Sequence, residues 1–306
     1  MFVVLAAIGL ASCNGGFKQD PSGILYNLHS EKSKTKIKEG DFIAASVVIK
    51  NDADSVFFNS YDGGQSQFLI VEKPQFKGDM MDGLKLVGEG DSVSFKMVAD
   101  SVFKGGQPRP DGFKGSKYVV YDLKINKVIP KGTLTDEVFQ GQISAYIRQQ
   151  IENVKKQEPA KIKKYIDDNN LNAMKTDSGL YYVITKPGSG PPAMPGDTAV
   201  ANYTGRLLAN SKVFDTSIKA EAVKAKLPNL EMRQFQPYKF PVGMPRGMEQ
   251  VIPGWNQGFL LLNKGAKATF IIPSALAYGE RGNQGIPGNA PLVFDVELVD
   301  IIHPAK

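Results

Sequence analysis

Residues that could carry acid–base, metal or phosphoryl chemistry do not cluster in this 306-residue sequence. Its two histidines, His29 and His303, lie far apart, and its carboxylates are scattered without the spacing of metal ligands. The stretch GSGPP at Gly188 has proline where a phosphate-binding loop needs N–H donors. No nucleophile elbow or dinucleotide turn is present either. From these observations together the sequence predicts no metal and no cofactor.

Aromatic residues are the other group that could do chemistry, and they gather at the edges of predicted strands in the C-terminal half. The single tryptophan, Trp255, follows Pro253 and Gly254 in the stretch VIPGWNQGFLLLNKG. Proline suits the first turn of a helix, and a lysine followed by glycine is typical of a helix end. Within that helix Trp255 shares a face with Phe259 and Leu262. These residues allow a pocket that acts through aromatic contact and a few hydrogen bonds.

An internal repeat defines the elements that must position these aromatic residues. SGILYNL at Ser22 matches SGLYYVI at Ser178 with an offset of 156, and EGDFIAASVVI matches PGDTAVANYTG with the same offset. LKLVGEGDSVSF matches FLLLNKGAKATF at an offset of 175, and VVYDLKI matches LVFDVEL at 173. Such internal similarity predicts two homologous domains, over residues 22–130 and 176–303.

Each copy reads as short strands bounded by glycine and proline, with one short helix. In the first copy Met80, Leu84 and Val87 repeat the apolar stripe of the Trp255 helix. An antiparallel sheet wrapped around the helix is the simplest architecture that buries it. The predicted fold class is therefore α+β: two domains, each a curved antiparallel β-sheet around a short helix, joined by a helical linker.

Residues 131–175 are predicted to form that linker. Thr135 caps a first helix with one apolar stripe, and Pro159 opens a second helix that carries Ile162. Two interpretations of the linker stay open. It is a spacer that packs on its neighbours, or it is an arm for client contact or for formation of a homodimer.

Six motifs of the C-terminal copy, in chain order, resemble the FKBP family of peptidyl-prolyl cis/trans isomerases. They are VANYTGRL, KVFDTS, YKFPVG, VIPGWNQG, AYGERG and APLVFDVELVDI, and the match covers most of residues 178–303. The resemblance implies a curved antiparallel sheet around a short helix, in agreement with the pattern of strands. It also implies an activity, which is rotation about the bond that precedes proline in a peptide or protein.

By this resemblance, Trp255 forms the floor of a proline pocket. Asp215 is a polar wall group near Tyr203, Ile252 offers its backbone N–H to a substrate carbonyl, and Tyr278 donates its hydroxyl to a substrate carbonyl. The catalytic residues implied are Tyr203, Asp215, Trp255 and Tyr278. The substrate-binding residues implied are Phe214, Tyr238, Val251, Ile252, Ile286 and Phe294. The segment 216–237 is longer than in compact family members, which leaves the pocket rim and the client preference open.

Such a pocket can catalyse this reaction without acids, bases or metals. The barrier to rotation about the peptide C–N bond is about 18–20 kcal/mol, and uncatalysed X–Pro exchange takes on the order of tens of seconds or longer. A dry aromatic pocket disfavours the planar polar amide relative to the twisted state, and one or two hydrogen bonds can hold the twist. Lowering the barrier by about 7 kcal/mol would raise the rate by roughly five orders of magnitude.

The first copy keeps the scaffold but not the pocket residues. By the repeat offsets, the residues at the places of Tyr203, Asp215, Trp255 and Tyr278 are Val47, Asn59, Met80 and Phe103. The sequence therefore predicts a degenerate, catalytically silent domain over residues 22–130 that contributes binding or spacing.

The stretch MFVVLAAIGLASC at the start resembles the signal of a bacterial lipoprotein. The apolar run is too short to span a bilayer, and its end, LASC, is similar to a lipobox. We expect residues 1–13 to be a signal segment with Cys13 as the lipidated residue; the alternative is an ordinary buried cysteine. Asn14 favours the outer membrane, by analogy with lipoprotein sorting. No Lys or Arg precedes Lys18, which suggests a start upstream of Met1.

The formal net charge of +6 does not predict a nucleic-acid partner. Most lysines alternate with acidic residues, as in EKSKTKIKEGD and KKQEPAKIKKYIDD, and lack the aromatic or arginine neighbours of a nucleic-acid surface. The hypothesis of a surface protein that binds anions would rest on the net charge alone.

The predicted function is a peptidyl-prolyl isomerase that assists the folding of exported proteins in the cell envelope, on a lipid anchor in the outer membrane and facing the periplasm. Its partners are proline-containing segments of unfolded or folding proteins and, through the anchor, a membrane. The alternative is a chaperone or interaction protein that binds proline-containing segments without turnover.

Overall fold

A computed structural model describes residues 16–104, 109–245, 247–283 and 285–304 of the chain. Cys13 and the predicted signal segment lie outside these residues. The chain divides into two compact units. The first unit contains the described residues up to 61 and those of 65–146, and the second contains residues 62–64 and the described residues from 147 onward. Both units combine antiparallel sheets with a few helices, which confirms the predicted α+β fold class.

The first unit contains a seven-stranded antiparallel sheet. Its strands are β1 (Lys18–Gln19), β2 (Leu25–Ser30), β3 (Phe42–Asn51), β4 (Val56–Asn59), β5 (Gln67–Ile70), β6 (Ser92–Val98) and β7 (Tyr118–Ile129). Its short helices are α1 (Met80–Leu84) and α2 (Ala99–Val102), with 3-10 turns at Ser60–Asp62 and Asp111–Phe113. The strand order is β1-β2-β6-β7-β3-β4, and β5 also pairs with β3. Leu84 of α1 and Phe95 of β6 are fully buried in one apolar core.

A single long helix, α3 (Asp136–Asp168), follows the first sheet. The prediction that Pro159 opens a second helix is wrong, because α3 continues through this proline. An interior proline removes one N–H donor and crowds the preceding turn, so tertiary packing has to outweigh its cost. Phe139 and Ile143 are buried before the proline, and Ile162 is buried after it. Among the described residues, none of the helices combines the length and the apolar composition needed to cross a membrane.

The second unit contains another seven-stranded antiparallel sheet and a two-stranded one. Its strands are β8 (Met174–Lys175), β9 (Tyr181–Lys186), β10 (Ser189–Pro192), β11 (Thr198–Leu207), β12 (Val213–Thr216), β13 (Tyr238–Pro241), β14 (Asn263–Lys264), β15 (Lys267–Ile272) and β16 (Leu292–Ile302). Its helices are α4 (Lys219–Lys224) and α5 (Pro253–Gly258), with 3-10 turns at Leu230–Met232, Phe259–Leu261 and Ser274–Leu276. The large sheet has the order β12-β11-β16-β15-β9-β8, β13 also pairs with β11, and β10 pairs with β14.

Helix α5 packs against the large sheet of the second unit. Pro253 occupies its first turn, as predicted, but the α-helix ends at Gly258 and continues only as a 3-10 turn, so it is shorter than the sequence suggested. Phe259 is fully buried with Phe270 of β15. Gly258 permits this close contact, since a Cβ there would lie 2.8 Å from the Phe270 ring. Trp255 joins the same apolar cluster.

Each of the two large sheets contains an equivalent hairpin, and the two hairpins differ in length by one residue. In the first unit the Ser60 hydroxyl accepts the N–H of Val47 at 2.8 Å. In the second unit the Ser217 hydroxyl accepts the N–H of Tyr203 at 2.9 Å. Val47 and Tyr203 are equivalent by the repeat, so Ser60 and Ser217 are equivalent as well. The connection between β3 and β4 is therefore one residue shorter than the connection between β11 and β12.

This difference corrects the predicted equivalence of Asp215 and Asn59. Asp215 pairs with Gly205 across β11 and β12, and the corresponding pair in the first unit is Phe58 with Ile49. A constant offset cannot follow a one-residue deletion in a hairpin loop. Phe58, not Asn59, therefore stands at the place of Asp215.

Candidate active site

One cavity of the second unit, with a volume of about 330 Å³, brings most of the predicted site residues together. Strands β11, β12, β13 and β16 contribute to its wall, together with the segment that leads into α5. The lining residues are Tyr203, Phe214, Asp215, Tyr238, Gln250, Val251, Ile252, Trp255, Tyr278 and Phe294.

Ile286 is the one predicted pocket residue that does not line this cavity. It is buried in the apolar core of the same unit. Its backbone exchanges two hydrogen bonds with Asn283, at 2.7 and 2.9 Å, and these hold it within its own loop. Gln250 lines the cavity but was not predicted. Its position directly before the motif VIPGWNQG is the sequence signal that could have found it.

Trp255 lies where the cavity meets the apolar core, and only 5% of its surface is exposed. Its ring centroid is 5.0 Å from that of Tyr203 and 5.1 Å from that of Phe294, both in edge-to-face geometry. Among the described residues, no acceptor pairs with the buried indole N–H. An unpaired buried donor costs about 1–3 kcal/mol, so the tryptophan is kept here although its polar atom lowers stability.

Tyr203, Asp215 and Arg233 form a hydrogen-bonded chain at the wall of the cavity. The Tyr203 hydroxyl donates to Oδ2 of Asp215 at 2.6 Å. Arg233 donates from Nη1 to Oδ1 of the same carboxylate at 2.8 Å and from Nε to the carbonyl oxygen of Pro228 at 3.1 Å. Each carboxylate oxygen therefore has a donor, which fixes the plane of Asp215.

The electrostatics of this chain keep the Tyr203 hydroxyl protonated. Burial raises the pKa of Tyr203 well above its usual value, and the hydrogen bond to the negative Asp215 raises it further. A phenolate beside a carboxylate in a partly desolvated site would be unfavourable. Tyr203 is accordingly a hydrogen-bond donor at neutral pH, and Asp215 is its acceptor.

Tyr278 and Ile252 approach the cavity from two different turns. Tyr278 follows the 3-10 turn after β15 and packs against the apolar core with its ring. Ile252 is the N-cap residue of α5, and its carbonyl oxygen accepts the N–H groups of Trp255 and Asn256 at 2.9 and 3.1 Å. These bonds fix the Ile252 carbonyl at the start of α5, the helix that carries Trp255.

A larger cavity of about 680 Å³ adjoins the first and shares Tyr203, Asp215 and Tyr238 with it. The segment 216–237 supplies much of its lining, including Arg233. Tyr238 lines both cavities. Because 45% of its surface is exposed, it lies at their rim. Sequence reasoning missed Arg233, because no motif in this long segment indicates which of its residues folds back onto Asp215.

The corresponding place in the first unit is filled by side chains. Phe113 is buried there, with its ring centroid 4.2 Å from that of Phe57 and 5.3 Å from that of Phe103. Ile49 packs against the same cluster, whereas its counterpart in the second unit is Gly205. Bulky apolar residues thus occupy the space that the second unit leaves open.

The described residues contain no group of three or more His, Cys, Asp or Glu side chains that could hold a metal ion. The groups that the cavity offers are its aromatic rings, its tyrosine hydroxyls and the Asp215 carboxylate.

Comparison with known proteins finds relatives in one enzyme family. The model of the family described as FKBP-type peptidyl-prolyl cis-trans isomerase matches residues 190–299. The isomerase FkpA of Aeromonas hydrophila is 34% identical over 225 residues, which cover 73% of this chain and 68% of that protein. A probable FKBP-type isomerase of Haemophilus influenzae is 32% identical over 194 residues, which cover 62% and 69% respectively.

Among solved structures, a crystal structure of FkpA from Escherichia coli is 29% identical, covers 56% of this chain and 74% of that chain, and has a TM-score of 0.40. On the strength of the relatives above, the chain belongs to the FKBP-type peptidyl-prolyl cis-trans isomerase family. The predicted family and enzyme class are thereby confirmed.

Proposed function

We propose that this isomerase acts on X–Pro bonds of exported proteins and that the cavity around Trp255 is its active site. The observation that carries the proposal is the arrangement of that cavity. A nearly buried indole lies at its inner end, aromatic rings form its wall, and Tyr203, Asp215 and Tyr278 supply its polar groups.

The proposed mechanism is non-covalent. A prolyl ring lies on the indole of Trp255, beside the rings of Phe214 and Phe294, which contact each other edge to face. Twisting about the C–N bond removes amide resonance and makes the group less polar, so an apolar wall stabilises the twisted state more than the planar one. Every 1.4 kcal/mol of this difference changes the rate about tenfold.

Hydrogen bonds at the rim hold the substrate while the bond rotates. The N–H of Ile252 and the hydroxyl of Tyr278 donate to carbonyl oxygens of the peptide. Asp215 is not a general base in this scheme, because both of its oxygens already accept hydrogen bonds, from Tyr203 and Arg233. Its role is to keep the Tyr203 ring against the indole.

The test is acceleration of a proline-limited refolding reaction by the full-length chain, with Trp255→Leu and Tyr278→Phe as variants. We expect the wild-type chain to accelerate refolding and both variants to lose most of this effect. Met80→Leu, at the place of Trp255 in the first unit, is the matched control and should keep full activity. A wild-type chain that does not change the refolding rate would contradict the proposal.

That negative outcome would favour the alternative function, a chaperone or interaction protein that binds proline-containing segments without turnover. The single tryptophan makes the distinction direct, because its fluorescence reports on this cavity alone. A peptide that changes the emission of Trp255 without being isomerised would identify a binding module.

We also propose that the first unit is catalytically silent. Phe113 and Ile49 support this, since they fill the place of the cavity. A full-length chain that carries both Trp255→Leu and Tyr278→Phe should then have no residual isomerase activity, and activity above background would argue against a silent first unit.

We further propose that the mature protein is lipidated at Cys13, is anchored in the outer membrane and faces the periplasm. The similarity of LASC to a lipobox supports the anchor, and Asn14 supports the choice of membrane. Labelling with a fatty-acid analogue in the native host, with Cys13→Ala as control, tests the anchor. A homodimer formed through the linker stays a prediction, and analytical ultracentrifugation of the full-length chain tests it.

A further inference from the structure

Helix α3 contacts the segment that carries Tyr278. Its residue Glu158 accepts two hydrogen bonds from Ser274: the backbone N–H donates to Oε1, and the hydroxyl donates to Oε2 at 2.8 Å. Three residues earlier on the helix, Lys155 forms an ion pair with Glu280. The helix thus holds this segment on both sides of the tyrosine.

Ser274 passes this contact on to Tyr278 through the backbone. The carbonyl oxygen of Ser274 accepts the N–H of Ala277 at 3.0 Å and the N–H of Gly279 at 2.9 Å. Because these two residues flank Tyr278 in the chain, the orientation of the tyrosine depends on the position of the Ser274 peptide. Ser274 is 5% exposed, so water has little access to replace the carboxylate.

Glu158 is itself held in place by the packing of the helix. Ile162, one turn further along α3, is buried against Ile271 of β15 and Val293 of β16. Residues i and i+4 lie on one face of a helix, so Glu158 is on the side of α3 that meets the sheet. The Lys155–Glu280 pair is exposed on both sides, and such pairs contribute about 0–1 kcal/mol. Glu158 is therefore the stronger of the two contacts.

The first unit serves as an internal comparison. Ala99 stands at the place of Ser274, and its N–H donates to the carbonyl oxygen of Lys117 instead of a carboxylate. Phe103 stands at the place of Tyr278 and has no hydroxyl. The unit that keeps the tyrosine hydroxyl also keeps the serine and its acidic partner.

We infer that Glu158 is a positioning residue for Tyr278: from the linker helix it fixes the Ser274 turn that sets the tyrosine hydroxyl at the cavity. The inference rests on the proposed function and extends it, because it makes part of the linker necessary for full catalytic efficiency.

The test compares kcat and KM of the full-length chain on an X–Pro peptide for Glu158→Gln, Ser274→Ala and the control Glu152→Gln, an exposed acid on the same helix. A misplaced catalytic group lowers the rate, so we expect Glu158→Gln and Ser274→Ala to lower kcat/KM about threefold to tenfold, mainly through kcat. Glu152→Gln should leave it unchanged. In a Tyr278→Phe background, Glu158→Gln should cause no further loss, because the hydroxyl that it positions is absent.

Amide hydrogen exchange gives a readout that does not depend on activity. Exchange at Ala277 and Gly279 should be faster in Glu158→Gln than in the wild type or in Glu152→Gln. Unchanged exchange, or an equal loss of kcat/KM with and without the Tyr278 hydroxyl, would overturn the inference. A wild-type chain without isomerase activity would overturn the proposed function instead, and the exchange result would still decide whether Glu158 holds the turn.

Discussion

The hydroxyl of Tyr203 donates a 2.6 Å hydrogen bond to Asp215, whose other oxygen accepts from Arg233. A tyrosine on β11 and a carboxylate on β12 thereby become one rigid unit against the edge of Trp255. The long segment 216–237 is part of this unit, because it supplies the arginine. Geometry at the cavity wall therefore depends on a region outside the recognisable motifs.

The Tyr203 hydroxyl should make the free energy of unfolding depend on pH in the alkaline range. Burial, and then the bond to Asp215, raise the pKa of Tyr203 in the folded state, whereas an unfolded tyrosine ionises near about pH 10. The stabilising contribution is thus fully present below about pH 10 and is lost as the pH rises towards the folded pKa, by at most about 1.4 kcal/mol per pH unit. Urea unfolding at pH 9 and pH 11 should show a steeper loss for the wild type than for Tyr203→Phe.

Tyr61→Phe is the control for this measurement, because Tyr61 is exposed on the first unit. Tyr121 and Tyr146 also have raised pKa values, mainly through burial, but they are present in all three proteins and cancel in the comparison. Equal pH dependence of the wild type and Tyr203→Phe would show that the bond to Asp215 does not persist in solution.

Trp255→Phe should lower the isomerase activity strongly and the free energy of unfolding little. The substitution removes an unpaired buried N–H, which returns about 1–3 kcal/mol, and it loses apolar contact of similar size. We expect the free energy of unfolding to change by less than about 1 kcal/mol while the refolding assay shows at least about a tenfold loss of activity. Phe259→Ala, at a fully buried neighbour without a polar atom, should cost about 3–5 kcal/mol.

If Trp255→Phe destabilised the protein as strongly as Phe259→Ala, the indole would be an ordinary core residue. Denaturant unfolding of the two variants at one pH decides between these cases.

The cavity residues could be predicted because they lie within the motifs that resemble the FKBP family. Strand alternation and the face of a short helix agree with this for Tyr203, Phe294 and Trp255. The internal repeat added the contrast between the two copies.

The remaining features depend on tertiary contacts that no local pattern records. Pro159 lies inside a helix because packing on both sides outweighs its local preference, and Arg233 reaches Asp215 only after a long segment has folded back. The hairpin of the first unit lacks one residue, so a constant offset assigned Asn59 where Phe58 stands. The two bonds from Ser274 to Glu158 join residues 116 positions apart, beyond the reach of any periodicity.

Arg233→Met should weaken catalysis by releasing one side of Asp215. A charged hydrogen bond of this kind is worth about 1.5–3 kcal/mol, and we expect roughly a tenfold loss in kcat/KM if about half of it supports the active geometry. The bond to Pro228 is lost as well, so protease cleavage within 216–237 should become faster. Lys224→Met, on the exposed helix α4 of the same segment, is the control and should change neither quantity. Wild-type kcat/KM in Arg233→Met would mean that Tyr203 alone orients the carboxylate.

Gly205→Ala should disturb the wall of the cavity. A Cβ at this position would lie 2.5 Å from the ring of Phe294 and 2.7 Å from the ring of Phe214, so these two lining rings must shift. Overpacking of this kind costs about 1–3 kcal/mol of stability, and we expect a larger effect on kcat/KM than on melting temperature. Gly141→Ala makes the same chemical change on α3, where nothing lies within 4 Å. It should stabilise the helix by about 0.5–1 kcal/mol and leave activity intact.

Gly205→Ile reproduces the Ile49 of the first unit and should abolish isomerase activity in a chain that still folds. An active Gly205→Ile variant would mean that the isoleucine at this position is not what makes the first unit inactive.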